Sequence, residues 1–198
     1  MLTKRLRCSL LIPVVACLVP CGLKASVIAQ YTAGTAIAPT DVFLGQSVTT
    51  ANGGPWHVLS YSFFSDTQAT LPAASGTLFL LSVAYAGTPQ ALSASTAGFI
   101  AASQSISAGV YYFDPGVILQ PNTQYFFYTN ASFIVSGSAT DTYTGGTAYY
   151  ALGAASNFTS LPADANFTLN GTPVPEPGTV LLVGSAVLAL MALRRRKQ

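Results

Sequence analysis

His57 is the only histidine in the chain, so no imidazole pair can hold zinc and no H-E-x-x-H helix exists. Serines are plentiful, but no G-x-S-x-G elbow presents one to a base; "GQSV" and "SGS" do not fit that pattern. His57 follows Trp56 in a predicted strand and reads as a strand residue. Paired carboxylates about 5–10 Å apart would suit glycoside hydrolysis. The five candidates, Asp41, Asp66, Asp114, Asp141 and Asp164, mostly stand beside turn residues, as in Asp114-Pro-Gly. Aspartates so placed read as turn formers and solubilising charges, and no catalytic residue is expected. No dense D-x-D-x-D-G loop occurs, so a structural calcium ion has no ligand set behind it and no cofactor is expected. What remains is stacking on sugar faces, for which Trp56, Tyr149 and Tyr150 are the candidates. In the Tyr149-Tyr150 pair one ring should face a core and the other solvent. Four N-x-S/T matches, at Asn130, Asn157, Asn166 and Asn170, matter only in a host that glycosylates asparagine.

The elements that must position these residues read as strands. All 22 aromatic residues lie between Tyr31 and Phe167. Short runs of Val, Ile, Thr, Tyr and Phe recur between turn signals: "DVFLGQSVTT", "WHVLSYSFFS", "GTLFLLSVAY", "GFIAASQSI", "GVYYFD", "TQYFFYTNASFIV", "TAYYALG" and "ANFTLNG". "NGGP", "DPG", "PNT" and "TGG" separate them. Many short strands at this spacing predict an all-β fold, a β-sandwich of jelly-roll type. "LQPNTQYFFYTNASF", from Leu119 to Phe133, is similar to the L-x-P-x-T-x-Y approach to a late strand in extracellular sandwiches. There the tyrosine hydroxyl, here that of Tyr125, bonds back to the turn.

Charge and cysteine separate this body from the ends of the chain. Lys4, Arg5, Arg7 and Lys24 stand at one end and Arg194, Arg195, Arg196 and Lys197 at the other, with no Lys or Arg from Ala25 to Leu193. A body carrying only carboxylates has nothing to neutralise phosphates, which excludes nucleic acid as a partner. Cys8, Cys17 and Cys21 all precede it, so the body has no disulfide and no thiol nucleophile. "MLTKRLRCSLLIPVVACLVPCGLKAS" runs from basic residues through an apolar stretch, Leu10 to Val19, to small-residue sites near Ala25 or Ala29. That is the order of a secretory signal, and the apolar stretch is too short to span a bilayer. "VVAC", ending at Cys17, also loosely resembles a lipobox.

The C-terminus carries a second address. Thr179 to Leu193 is 15 apolar or small residues, roughly 22 Å as a helix, against a bilayer core of about 30 Å. Snorkelling of the following arginines offsets the difference and puts that end in the cytoplasm. Immediately before it stand Val174-Pro175-Glu176-Pro177 and Gly178, and after it Arg194-Arg195-Arg196-Lys197. In this order the tail resembles the PEP-CTERM sorting signals. The resemblance implies recognition by an exosortase, a membrane-embedded cysteine transpeptidase of Gram-negative bacteria that make exopolysaccharide. It implies passage through the inner membrane to the cell surface or matrix, with this protein as substrate.

The body resembles the extracellular domains of the choice-of-anchor group, most nearly the R-type. "LGQSVTTANGGPWHVLSYSF", "GTLFLLSVAY", "ISAGVYYFDPGVILQPNTQYFFYT" and "ADANFTLNG" carry that resemblance. It implies a β-rich surface domain and brings no catalytic residue. The expected organisation is a signal peptide over residues 1–25, an extracellular domain over 26–172 and a sorting signal over 173–198. The expected role is structural or adhesive, in association with exopolysaccharide and biofilm. The alternatives are a carbohydrate-binding module and, behind it, a glycan-active hydrolase.

Overall fold

A computed structural model describes residues 24–38 and 41–175. Residues 1–23 of the predicted signal peptide and the tail from Glu176 onward lie outside the described residues. In chain order the first strands are β1 (Ser26–Tyr31), β2 (Ala36–Ile37), β3 (Phe43–Thr49), β4 (Trp56–Phe64), β5 (Pro72–Ala73), β6 (Leu78–Leu81), β7 (Phe99–Ala102) and β8 (Ser105–Ser107). They continue with β9 (Val110–Tyr112), β10 (Ile118–Leu119), β11 (Gln124–Thr129), β12 (Ser136–Ser138), β13 (Ala148–Ala151), β14 (Thr159–Leu161), β15 (Asp164–Ala165) and β16 (Phe167–Pro173). One sheet runs β1-β16-β4-β9-β8, with β5 and β10 also pairing with β4. A second runs β14-β13-β3-β11-β6-β7, and a small third runs β15-β12-β2. The described chain is nearly all β, compatible with the sandwich that the alternation predicts.

The two large sheets meet over one core. Val58, Tyr61, Phe63, Phe167 and Leu169 come from the first; Leu44, Val48, Leu80, Tyr125 and Phe127 come from the second. The Tyr61 and Phe127 rings touch across the interface, their centroids 4.4 Å apart. Strict alternation along β4 would turn either Trp56 and Val58 or Tyr61 and Phe63 away from this core. The register against β16 shifts between Asn170 and Gly171, which leaves Leu59 as an extra residue on β4. That bulge puts all four side chains inside.

The second sheet is buried on both faces, which explains its unbroken apolar runs. Phe79, Leu81, Phe126 and Tyr128 point away from the first sheet, and Leu92 and Phe158 cover them from the connecting loops. Gly45 makes room for this layer. A Cβ at that position would run into the Tyr128 ring and lie 3.1 Å from the Tyr149 Cβ. The sequence-predicted strand over 76–85 therefore stops at Leu81, where the chain leaves the sheet to become the cover. The strand predicted through Val135 likewise stops at Thr129, and β12 begins afresh at Ser136.

Tyrosine hydroxyls pin the loops to this frame. The Gln120 N–H donates to the Tyr125 hydroxyl at 2.9 Å, the backward bond predicted from the "PNT" turn. Asn122 in that turn takes φ +50°, and the Thr50 hydroxyl bonds the Gln120 carbonyl at 2.6 Å. Tyr111 accepts from Ser75 N–H and donates to Ser75 C=O, both at 2.8 Å. Tyr128 accepts from Tyr85 N–H at 3.0 Å. Burial pushes the Tyr111 hydroxyl up to about 12. Tyr61 is the exception: it is fully buried and its hydroxyl has no partner among the described residues.

Where the three sheets meet, a buried polar cluster takes the place of apolar contacts. Gln46, Ser136, Asp164 and Asn166 are each at most 2% exposed. Asn166 accepts from Gly34 N–H and donates to Gly34 C=O and to the Ser136 hydroxyl, each at 2.9 Å. Asp164 accepts from Thr142 and Tyr143 N–H at 2.7 Å and from Gln46 at 3.4 Å. Gln46 in turn accepts from Ala165 N–H at 2.9 Å. Burial raises the Asp164 carboxyl above its ordinary value, and the Tyr143 and Thr142 N–H groups pull it part of the way back.

Two measurements test this frame. Tyr125→Phe leaves the Gln120 N–H without its acceptor and should cost about 1–2 kcal/mol in denaturant unfolding. Tyr61→Phe removes an unpartnered buried hydroxyl and should be neutral or stabilising; a comparable loss in both variants contradicts this account. The raised carboxyl of Asp164 sets the sign of a pH effect. A group protonated more readily when folded favours the fold most in acid, and that contribution is lost as pH rises through its folded value. The melting temperature of Asp164→Asn should therefore gain on that of the parent protein between pH 3.5 and pH 6.5.

Candidate functional site

The second sheet and the small third sheet enclose a groove of about 420 Å³. One wall is built by register: Tyr150 lies opposite Leu44 and Thr159, and Ala148 lies opposite Gln46 and Leu161, so Leu44, Ala148, Tyr150 and Leu161 share a face. The other wall is β2 and β12, with Ile37 and Val135. Ile37, Leu152 and Leu161 are exposed around it, Leu152 by 73%. The side chains of Ser136, Ser138 and Asp164 in its lining are already engaged. Ser136 and Asp164 belong to the buried cluster, and the Ser138 hydroxyl pairs with that of Thr140 at 3.1 Å. The groove is lined mainly by apolar side chains, with the Tyr150 ring in its wall.

The three residues expected to stack on sugars do not share a surface. Trp56 corrects the expectation outright. It is 8% exposed, it packs in the main core, and its indole N–H donates to Ala51 C=O at 3.3 Å. The bulge in β4 turns it inward. Tyr149 lies on the outer face of the second sheet, edge-on to Phe126 at 6.1 Å and Tyr128 at 5.4 Å, and partial burial raises its hydroxyl above the ordinary tyrosine value. Tyr150, half-buried, lines the groove, and Tyr149 also borders it. The two tyrosines do face opposite sides of the sheet, and neither stands fully in solvent.

The other sequence candidates have structural partners. Asp66 closes its own loop, accepting from Thr70 N–H at 2.9 Å, Leu71 N–H at 2.7 Å and the Thr70 hydroxyl at 2.7 Å; desolvation alone would raise its carboxyl, and these bonds together hold it below the usual carboxylate value. Asp114 caps Gly116 N–H at 2.6 Å. Among the described residues no group of three or more His, Cys, Asp or Glu could hold a metal ion. His57 is half-buried on β4, its Nδ1 without a hydrogen-bond partner among the described residues. Asn166, matched as a glycan acceptor, is wholly buried, whereas Asn130 and Asn157 are exposed.

The beginning of the tail motif is held by the fold. β16 pairs with β4 as far as Pro173, opposite Trp56. Val174 N–H then donates to Pro55 C=O at 2.8 Å, and Pro175 is exposed. Glu176, Pro177, the predicted membrane segment over 179–193 and Arg194, Arg195, Arg196 and Lys197 lie outside the described residues. Among the described residues no helix is long and apolar enough to cross a membrane. Neither a curated protein nor a solved structure matches the chain. Residues 173–197, beginning on the last residue of β16, match the PEP-CTERM protein-sorting motif.

Proposed function

We propose that this chain is an exported protein sorted through its C-terminal signal by an exosortase, and that its body acts without catalysis at the cell surface or in the matrix of a Gram-negative bacterium. The match over residues 173–197 carries this reading. The geometry at the motif supports it. The sheet grips the chain up to Val174 and releases it at Pro175, so a cut at Pro175–Pro177 falls outside the body and leaves β16 whole. The body itself is proposed to be a choice-of-anchor β-sandwich with a structural or adhesive role beside exopolysaccharide.

The first of the two positions proposed for signal-peptide cleavage is the one the fold supports. A cut after Ala25 leaves β1 complete from Ser26. A cut after Ala29 removes Ile28, which is 2% exposed in the core and whose carbonyl receives Ala51 N–H at 3.1 Å. Mass spectrometry of the surface-exposed product, in a host that carries the enzyme, should show an N-terminus at Ser26 and a C-terminus at Pro175–Pro177. Arg194–Lys197 still attached in the exported pool would leave only a plain membrane anchor.

Association with exopolysaccharide is proposed to use the Tyr150 ring at the groove wall. Host polysaccharide should retain the purified body in a pull-down, and Tyr150→Ala should weaken retention several-fold with little change in melting temperature. Retention of Tyr150→Ala equal to that of the parent removes the aromatic contribution.

A further inference from the structure

We propose that the end of the body from which both chain termini leave is a membrane-docking surface, and that its partner is the headgroup layer of an anionic bilayer. The proposal rests on the sorting reading above and adds an orientation to it. β1 and β16 are antiparallel, with Ser26 opposite Gly171, so the chain enters and leaves at the same end of the first sheet. The loop Ala51–Pro55 lies there too, bonded to Val174 through Pro55 and to the Trp56 indole through Ala51. So does β10, whose Ile118 and Leu119 flank His57 and Trp56.

Tether length forces the contact. On the sorting reading the membrane segment begins at Thr179, four residues beyond Pro175, a reach of at most about 14 Å. A body of some 150 residues has a radius of gyration of about 15 Å. It cannot swing its far end onto the bilayer with so short a leash. In the precursor the signal peptide holds the same end through Lys24.

Charge and exposure match that partner. Lys24 is exposed at this end, as are Val27 (46%) and Ile118 (43%). The five aspartates of the body lie away from it, and the one carboxylate that follows this end in sequence is Glu176, next to Pro175. Asp66 follows the far end of β4, Asp164 precedes β16, Asp141 lies near enough to raise the Asp164 carboxyl, and Asp41 precedes β3 at its far end. Asp114 sits beside the middle of β4, one residue beyond the Phe113 N–H that bonds Leu59 C=O. An anionic surface repels the aspartate-bearing end, and the end with Lys24 and the exposed apolar side chains, where Glu176 is the one acid, faces the lipid.

The test uses full-length chain in vesicles of phosphatidylethanolamine with a minor share of phosphatidylglycerol and dansyl-labelled headgroups. Trp56, the sole tryptophan, lies at the proposed docking end. It should transfer energy to dansyl several-fold more strongly than the donor in a Trp56→Phe, Leu71→Trp variant, Leu71 being 60% exposed at the opposite end. Because Trp56 is a core residue, a second measurement uses exposed positions alone. A polarity-sensitive dye is attached to Asn52→Cys or to Leu71→Cys in a chain whose Cys8, Cys17 and Cys21 are replaced by serine. The dye at position 52 should shift to the blue and be quenched by headgroup nitroxides, and that at 71 should not; Val27→Asp with Ile118→Asp should weaken the response at 52. Equal responses at 52 and 71 overturn the proposal, and an unchanged preference in vesicles of phosphatidylcholine alone overturns the anionic partner. Flotation is read separately: a chain that fails to float with vesicles overturns the anchoring reading, whereas one that floats without a preferred end overturns only the orientation.

Discussion

The fold turns on a buried polar cluster, Gln46, Ser136, Asp164 and Asn166, placed where three sheets converge. Each removed polar group costs free energy unless its bonds are replaced, and a carboxylate costs more. Here the replacements are nearly complete and come from distant parts of the chain: Gly34, β3, β12 and the Thr142–Tyr143 segment. Ser136 adds a bond to Asp66 C=O at 2.6 Å, tying in the loop after β4. Such a cluster is satisfied in one arrangement only, so it fixes how the sheets cross in a body without disulfides. Apolar packing could slide; this cannot without stranding a donor or a charge.

The alternation of the sequence made the main strands readable. β3, β4, β9, β11, β13 and β16 all fall within stretches rich in branched and aromatic residues, and "PNT" before Tyr125 announced its own hydrogen bond. β2, β5, β10, β12, β14 and β15 were not readable, because elements of two or three residues carry no period and exist only through their partners. β1 was hidden differently. "SVIAQY" follows the predicted export signal so closely that its apolar residues read as part of the cleavage region, whereas β16 makes them a strand. The polar cluster had no local signature either, since Asp164 and Asn166 look like turn residues until the rest of the fold closes around them.

At the candidate sites the same distinction holds. The sorting motif is legible because its information is linear: a short tripeptide core, an apolar run and a basic end, in order. The stacking residues were not legible because exposure is a tertiary property. One extra residue in β4 sends Trp56 into the core, and the two-sided burial of the second sheet absorbs Tyr149 into a packed layer. The groove beside Tyr150 could not be foreseen at all, being made by β2 and β12 approaching β13 and β14 from far along the chain.

The confinement of Lys and Arg to the ends of the chain has a consequence for survival outside the cell. Proteases of the trypsin type cleave after Lys or Arg, and between Lys24 and Arg194 they meet no such bond, folded or unfolded. Once both ends are removed, the remaining chain offers these enzymes no substrate, and it offers amine-directed cross-linking only its own N-terminus. A body without disulfides is protected against proteases of wide specificity by its fold alone, but against this one class it is protected by composition, and unfolding does not take that protection away.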